Sequence, residues 1–292
     1  MKRIALFGRT FDQGRAEALS TLIEGLISGT VKLCIYDLFY QKIKALLPEG
    51  YEPEIFNSVR PPLRCDAMVS IGGDGTLLEA LTYVGDSGIP LMGINTGRLG
   101  FLTAFSKDEV EAAVDALLNQ NWHIEKRTML ALHTEPNPFA QFPFALNEIT
   151  LHKKDNSSMI TLKVMRNGAM LNHYWADGLI ISTATGSTGY SLSCGGPIIL
   201  PTSENLIITP IAPHNLNVRP LVISDEDLLH IKAEVRGKEM MVSLDSRSAA
   251  VDALQEIEIR KAPFTLNLIR RKNQDFLQTI REKLMWGIDK RN

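Results

Sequence analysis

No stretch restricts the fold of this chain more than Asp66-Ala-Met-Val-Ser-Ile-Gly-Gly-Asp-Gly-Thr-Leu-Leu-Glu-Ala-Leu81. Ala67 to Ile71 is a short apolar run with a β-branched core, Gly72 to Thr76 is a glycine-rich turn, and good helix formers follow from Leu77. The unit reads strand, loop, helix. Gly72, Gly73 and Gly75 let the backbone approach a ligand with no Cβ in the way. Successive N–H groups then form an anion nest, and Thr76 is expected to cap the helix, whose N-terminus is partly positive. Gly72, Gly73 and Thr76 are therefore candidate phosphate-binding residues. Asp74 is the anomaly in such a cradle, since a carboxylate repels phosphate unless it takes a proton or shares a metal. It reads as a base, a metal ligand or both, with an ordinary turn aspartate as the plain alternative.

The flanking sequence extends this unit into an α/β half. Ile4 to Phe7 predicts a first strand, and Leu19, Leu22, Ile23 and Leu26 give a helix at 3.6-residue spacing. Val31 to Phe39 is expected to be the next strand, and the β-α-β rhythm predicts an open, mostly parallel sheet with flanking helices. Gly93-Ile-Asn-Thr-Gly-Arg-Leu-Gly-Phe101 brings a second glycine-rich loop, expected beside Asp74 because strand ends of such a sheet converge. Arg98 in it is a candidate phosphate contact. Ser106 to Glu109 is a capping box ahead of an amphipathic helix.

From about Trp122 the apolar period becomes two, with strands expected at Arg127 to His133, Ile149 to Lys153, Ile160 to Met165 and Met170 to Trp175. Asn167-Gly168 signals a hairpin. Further strands are expected at Leu179 to Ser182, Leu206 to Ile211, Leu228 to Val235, Glu239 to Leu244, Glu256 to Arg260 and Thr265 to Ile269. This predicts an all-β, sandwich-like C-terminal domain. Asp275 to Trp286 returns to helical spacing and is expected to pack back on the first domain. The domains are thus 1–123 with 270–292, and 124–269.

With 292 residues, of which 45% are hydrophobic, two such domains can each bury a core. A formal net charge of -2 points to no nucleic-acid partner. No apolar run approaches a membrane span and no leader is expected. Three cysteines, Cys34, Cys65 and Cys194, have neither disulfide nor metal spacing, which suits a reducing cytoplasm. The six histidines show no short ligand spacing, which argues against a metal hydrolase.

Two stretches of the β half do not look like plain sandwich. Asn147 and Glu148 sit side by side at a strand start, an amide and a carboxylate suited to a ribose diol, provided the backbone bends so both share a face. Asp177 to Pro197 runs from a buried strand into a loop of glycines and hydroxyls. Thr188, Ser191 and Ser193 offer hydroxyls to a heterocycle edge, and Tyr190 offers a ring face.

Gly72-Gly-Asp-Gly-Thr76, Asn147-Glu148 and Thr185-Gly-Ser-Thr-Gly-Tyr-Ser-Leu-Ser-Cys-Gly-Gly-Pro197, in this order, resemble the NAD kinase family. Gly93 to Phe101 and Arg219-Pro-Leu-Val222 also match, so the resemblance covers nearly the whole chain. The first motif is shared with phosphofructokinases and with diacylglycerol and sphingosine kinases; a kinase of that kind, or a non-catalytic NAD-binding sensor, is the alternative. The resemblance implies transfer of the γ-phosphate of ATP to the 2′-hydroxyl of the adenosine ribose of NAD, with a divalent cation, Mg²⁺ or Mn²⁺. Asp74 matches the proton acceptor, with no certain metal ligand beyond Asp74 and the ATP phosphates. Gly75 and Phe101 match substrate contacts, Asn147 and Glu148 the adenosine end, and Thr188, Gly189, Tyr190, Ser191, Leu192 and Ser193 the adenine loop. Asp177 matches a contact to the nicotinamide end. The family works as homodimers or homotetramers in which a neighbouring subunit completes the site, and Ala212 and Arg247 fall at positions that line it. Gly189 and Cys194 stand where the family commonly has alanine. Arg247 stands where a glutamine is often found, so it is expected to favour an anionic group.

Overall fold

A computed structural model describes residues 2–286 apart from 12–13, 15, 60, 62–63, 98–99, 155–158 and 273–274. The elements in chain order begin β1 (Arg3–Gly8), α1 (Ala16–Ser28), β2 (Lys32–Tyr36), α2 (Asp37–Ile43), β3 (Glu54–Phe56) and β4 (Ala67–Ile71). They continue with α3 (Asp74–Val84), β5 (Leu91–Asn95), β6 (Phe105–Ser106), α4 (Val110–Asn119), β7 (Trp122–Arg127), β8 (Leu130–His133) and β9 (Phe144–Ala145). Then come β10 (Glu148–Lys153), β11 (Ile160–Arg166), β12 (Ala169–Ala176), β13 (Gly178–Thr183), α5 (Tyr190–Ser193) and β14 (Asn205–Ile211). The chain closes with β15 (Leu221–Ser224), β16 (Leu229–Glu234), β17 (Glu239–Leu244), β18 (Arg247–Asp252), β19 (Ile257–Lys261), β20 (Leu266–Arg271) and α6 (Phe276–Leu284).

Two compact units emerge, residues 1–125 with 267–292, and residues 126–266. In the first, strands run in the order β3-β2-β1-β4-β5-β20-β7, with β6 also paired to β5. The pairs β1·β2, β1·β4, β2·β3, β4·β5 and β5·β20 are parallel. Ile4, Leu6, Val69, Ile71, Met92 and Ile94 share one core with Leu19, Leu22, Ile23 and Leu26 of α1 and with the buried residues of α4. Each such fully buried aliphatic side chain contributes roughly 1.5–3 kcal/mol. The alternate strand residues Ala5, Phe7 and Met68 are buried as well, so both sheet faces are covered and the strands read as unbroken apolar runs. α3 covers the second face: Leu77 packs where a Cβ on Gly93 would stand. The predicted capping box is present, Glu109 accepting from the Ser106 N–H at 3.0 Å.

Three boundaries differ from the sequence expectation. The strand expected through Phe39 stops at Tyr36, where α2 begins and turns Phe39 into the core. β7 and β20, read above as parts of the β half, both belong to the first sheet, which moves the division to 125/126 and 266/267. β15 and β18 were not anticipated, being short and largely exposed.

The second unit is a pair of antiparallel sheets, β15-β14-β13-β10-β17-β18 and β12-β11-β16-β19-β8-β9. Their inward residues, among them Ile149, Leu151, Leu162, Val164, Ile181 and Ile208, form one apolar core. Asn167 and Gly168, with φ of 50° and 82°, make the tight turn that joins β11 to β12, as the Asn-Gly pair predicts.

Candidate active site

In the first unit the chain leaves the buried β4 at Ile71 and enters α3 at Asp74, one turn earlier than composition suggests. Gly73 is the N-cap and no side chain caps the helix. The expected cap at Thr76 is therefore absent: Thr76 lies inside the first turn, its N–H on the Gly73 carbonyl at 3.0 Å and its side chain against Gly72. Gly73 and Gly75 remain exposed, with open space where a Cβ would stand, so no side chain of their own covers the start of α3.

Asp74 occupies the first helical position, and its carboxylate is turned onto the second glycine loop. Oδ2 accepts from the Phe101 N–H at 2.8 Å and Oδ1 from the Leu102 N–H at 3.2 Å. A Cβ on Gly100 would run into that carboxylate, so the loop closes on Asp74 only with glycine there. Burial pushes the Asp74 carboxyl above the ordinary aspartate range, while the two amides, Lys283 and Arg270 pull it back. The result is a carboxylate that is fixed in place and more basic than usual. Phe101 enters this cluster through its backbone. Arg98 lies outside the described residues.

In the second unit another carboxylate sets the geometry. Asp245, in the β17–β18 turn, accepts from three successive N–H groups: Leu146 at 2.9 Å, Asn147 at 2.7 Å and Glu148 at 3.2 Å. This clamp supplies the backbone bend that Asn147 and Glu148 need. Both side chains reach Gly189, where a Cβ would stand 3.1 Å from Glu148 Oε2 and 4.0 Å from Asn147 Nδ2. An alanine fits at 189 with a shift of a few tenths of an ångström. At Gly186, by contrast, a Cβ would strike the Asn147 carbonyl, which pins the loop to the start of β10.

Glu148 is pushed up to about 8, first by burial and then by the Asp245 charge, with the Tyr190 N–H acting in the opposite direction. Its Oε2 is buried without a hydrogen-bond partner among the described residues. A buried acceptor left unmatched is costly, and a ligand hydroxyl would satisfy it.

Glu148, Asp177 and Tyr190 line one open groove of 470 Å³ together with Thr150, Lys153 and Ser243. Asp177 pairs there with Lys153 at 2.7 Å. Tyr190 and Ser193 are exposed, and Thr188, Gly189 and Leu192 half-buried. Ala212, with φ of 44°, follows Ile211 on the groove wall. Ser191 departs from expectation: it is fully buried, and its hydroxyl bonds Thr209 Oγ1 at 2.8 Å inside the unit. Sequence reading missed Lys153, Thr150 and Ser243. Thr150 shares the face of Glu148 by the two-residue period, and Ser243 lies opposite Thr150, a pairing that only the fold reveals.

Arg247 also departs from expectation. Its guanidinium donates to the Phe142 carbonyl at 2.6 Å and to that of Phe144, and lies 5.1 Å over the Phe142 ring. Held this way, it braces the strand ahead of Asn147, with two of its five N–H donors committed to backbone carbonyls. Arg247→Gln is expected to lower the melting temperature, consistent with a loss of about 1–3 kcal/mol, and to change nucleotide affinity less than threefold. Thermal denaturation with calorimetric titration checks this; a tenfold or greater loss of affinity would restore a direct ligand role.

A carboxylate set at the N-terminus of a glycine-preceded helix on a parallel sheet, with a separate β unit carrying an open groove lined by carboxylates, hydroxyls and a tyrosine, fits the class of nucleotide-dependent phosphotransferases. Comparisons narrow the class. Residues 58–122 match the family model described as the ATP-NAD kinase N-terminal domain, and residues 146–271 the ATP-NAD kinase C-terminal domain. An NAD kinase of Cytophaga hutchinsonii is 43% identical over 291 residues, covering 99% of each chain. One of Christiangramia forsetii is 42% identical over 299 residues, with 99% of this chain and 100% of that protein covered. Among solved structures, an NAD kinase from Archaeoglobus fulgidus in complex with ATP has a TM-score of 0.75 at 28% identity, over 97% of this chain and 98% of that one. Yeast NADH kinase complexed with NADH shares the fold, with a TM-score of 0.87 at 23% identity, over 99% and 89% of the two chains. The chain belongs to the NAD kinase family.

Proposed function

We propose that the protein transfers the γ-phosphoryl group of ATP to the 2′-hydroxyl of the adenosine ribose of NAD, giving NADP, with Asp74 as the base. The observation that carries this reading is the Asp74 carboxylate, raised in basicity and locked by two amides beside an exposed helix N-terminus. Phosphoryl transfer asks a protein for in-line positioning, charge compensation and a proton acceptor for the attacking hydroxyl. Gly72, Gly73 and Gly75 serve the phosphates. Asn147 and Glu148 hold the adenosine, Glu148 Oε2 gaining the partner it lacks. The loop from Thr188 to Ser193 borders the adenine, with Tyr190 and Ser193 as its accessible members. Asp177, held by Lys153, faces the nicotinamide end.

A divalent cation belongs to this reading. Among the described residues no cluster of three acidic, histidine or cysteine side chains could hold one. The donor set fits Mg²⁺ or Mn²⁺ arriving on the triphosphate, since Mg²⁺ commonly uses one or two carboxylates plus phosphate oxygens and water, and Asp74 is the carboxylate available. Bound there, the cation would neutralise charge on the transferring phosphate.

A dimer or tetramer also belongs to it, supported by Trp175, Leu216, Leu221 and Val222, which stand exposed on the second unit. The three free thiols suit a cytoplasmic setting. No described helix is long and apolar enough to cross a membrane.

The test is direct. The purified protein is incubated with ATP, Mg²⁺ and NAD, and the product is quantified with an NADP-specific dehydrogenase. NADP formation is expected; NAD binding without NADP would move the chain to the sensor reading.

A further inference from the structure

We propose that Arg270 is a positioning residue for Asp74, acting through the loop that grips the carboxylate. The inference rests on the reading of Asp74 as the base. Arg270 sits on β20, between β5 and the edge strand β7 of the first sheet, and is only 2% exposed. Its strand neighbours Leu268 and Ile269 are fully buried apolar residues, and an apolar side chain would be the simplest filling for such a place. A buried guanidinium is expensive unless its donors are matched. The carboxylate paired with it, Glu125, is 3.9 Å from Nε, at the limit of an ion pair. What Nη1 does instead is donate to three successive carbonyls, Phe101 at 3.3 Å, Leu102 at 3.2 Å and Thr103 at 3.5 Å.

Those carbonyls belong to the loop whose N–H groups hold Asp74. One peptide unit joins the two ends directly. The Phe101 carbonyl accepts from Arg270, and the Leu102 N–H at the other end of the same peptide donates to Asp74 Oδ1 at 3.2 Å. A cation on a peptide oxygen polarises the N–H of that peptide and strengthens the bond it donates. Arg270 thus fixes where Asp74 points, through the peptide they share.

The experiment compares wild type, Arg270→Met, Arg270→Lys and Asp74→Asn. It records kcat and KM for NAD, with melting temperature for each protein. Arg270→Met is expected to lose ~10-fold or more in kcat, with KM for NAD within about threefold, the scale of a misplaced catalytic group. Arg270→Lys should recover part of that loss, and the Phe101 and Leu102 amide proton resonances should shift in both variants. If Arg270→Met does not fold, Arg270→Lys carries the test, with the Phe101 and Leu102 amide resonances followed by proton–nitrogen NMR in that variant. A wild-type kcat, or a reduced kcat with the Phe101 and Leu102 amide resonances unmoved, overturns the proposal and leaves Arg270 a structural residue. Full turnover by Asp74→Asn would instead remove the base on which it rests.

Discussion

Asp74→Asn is expected to keep the fold and to lose at least ~10²-fold in kcat, the usual scale for a general base. The amide copies the shape of the carboxylate, so one oxygen still accepts from the Phe101 or Leu102 N–H. Its NH₂ then faces the other N–H, which lowers stability by about 1–3 kcal/mol without moving the loop far. What the amide cannot do is take a proton from an attacking hydroxyl. Because that proton moves only in the transition state, kcat should fall while KM for NAD stays close to wild type. In the unsubstituted enzyme kcat should fall at low pH as Asp74 is protonated, with a midpoint above the ordinary aspartate range because burial raises this carboxyl. Steady-state kinetics of both proteins across pH supply the check, and a variant that keeps most of its turnover would strip Asp74 of the role.

Glu148→Gln should have the next largest effect, on affinity and on the pH dependence of both binding and stability. In the folded protein Glu148 ionises at about 8, against a reference of 4.5. Between these values the unfolded chain has released this proton and the native state has not. Native stability from this group is therefore full below about 4.5 and lost as pH rises through about 8. Glutamine removes that slope, and above pH 8 the variant should be more stable than wild type by about 1–3 kcal/mol, allowing for partial solvent access. Binding carries the opposite cost, since a ribose diol prefers an ionised acceptor. NAD affinity in wild type should rise with pH toward 8 with release of a proton, whereas the variant should bind ~10-fold or more weakly with no such release. Calorimetry in buffers of different ionisation heat measures the proton directly, and equal proton counts for the two proteins would refute the assignment.

Much of this site was legible because its chemistry needs residues that leave a local trace. Glycines flanking Asp74 mark a backbone that must stay uncovered, and the apolar run before them marks the strand that presents it. The bend at Asn147 and Glu148 was legible only as a requirement. Its cause, Asp245, lies nearly a hundred positions away and acts through three N–H groups that no sequence pattern encodes. Ser191 and Arg247 show the same limit from the other side. A hydroxyl or guanidinium in a ligand-rich segment is equally suited to an internal partner, and Thr209 and the Phe142 carbonyl captured them. Thr76 failed as a cap because the helix starts two residues before it, where Gly73 already serves as the cap. β20 was recognised as a strand yet assigned to the other half, since a period of two fixes which face is buried and not which sheet is joined, and β7 was not separated from the strand expected after Arg127.

The place of β20 has a consequence for how the molecule is made. It lies between β5 and β7, so β7 has its sheet neighbour only after residues 266–271 exist. A ribosome delivers the N-terminal strands and α1 to α4 first, but they form an open sheet with one row of backbone groups awaiting a strand still to be translated. The second unit is continuous, from residue 126 to 266, and can close its own core as it emerges. Arg270, which braces the loop on Asp74, arrives with that last strand. Asp74 is therefore among the early parts of the chain to be synthesised and among the last to be set in place.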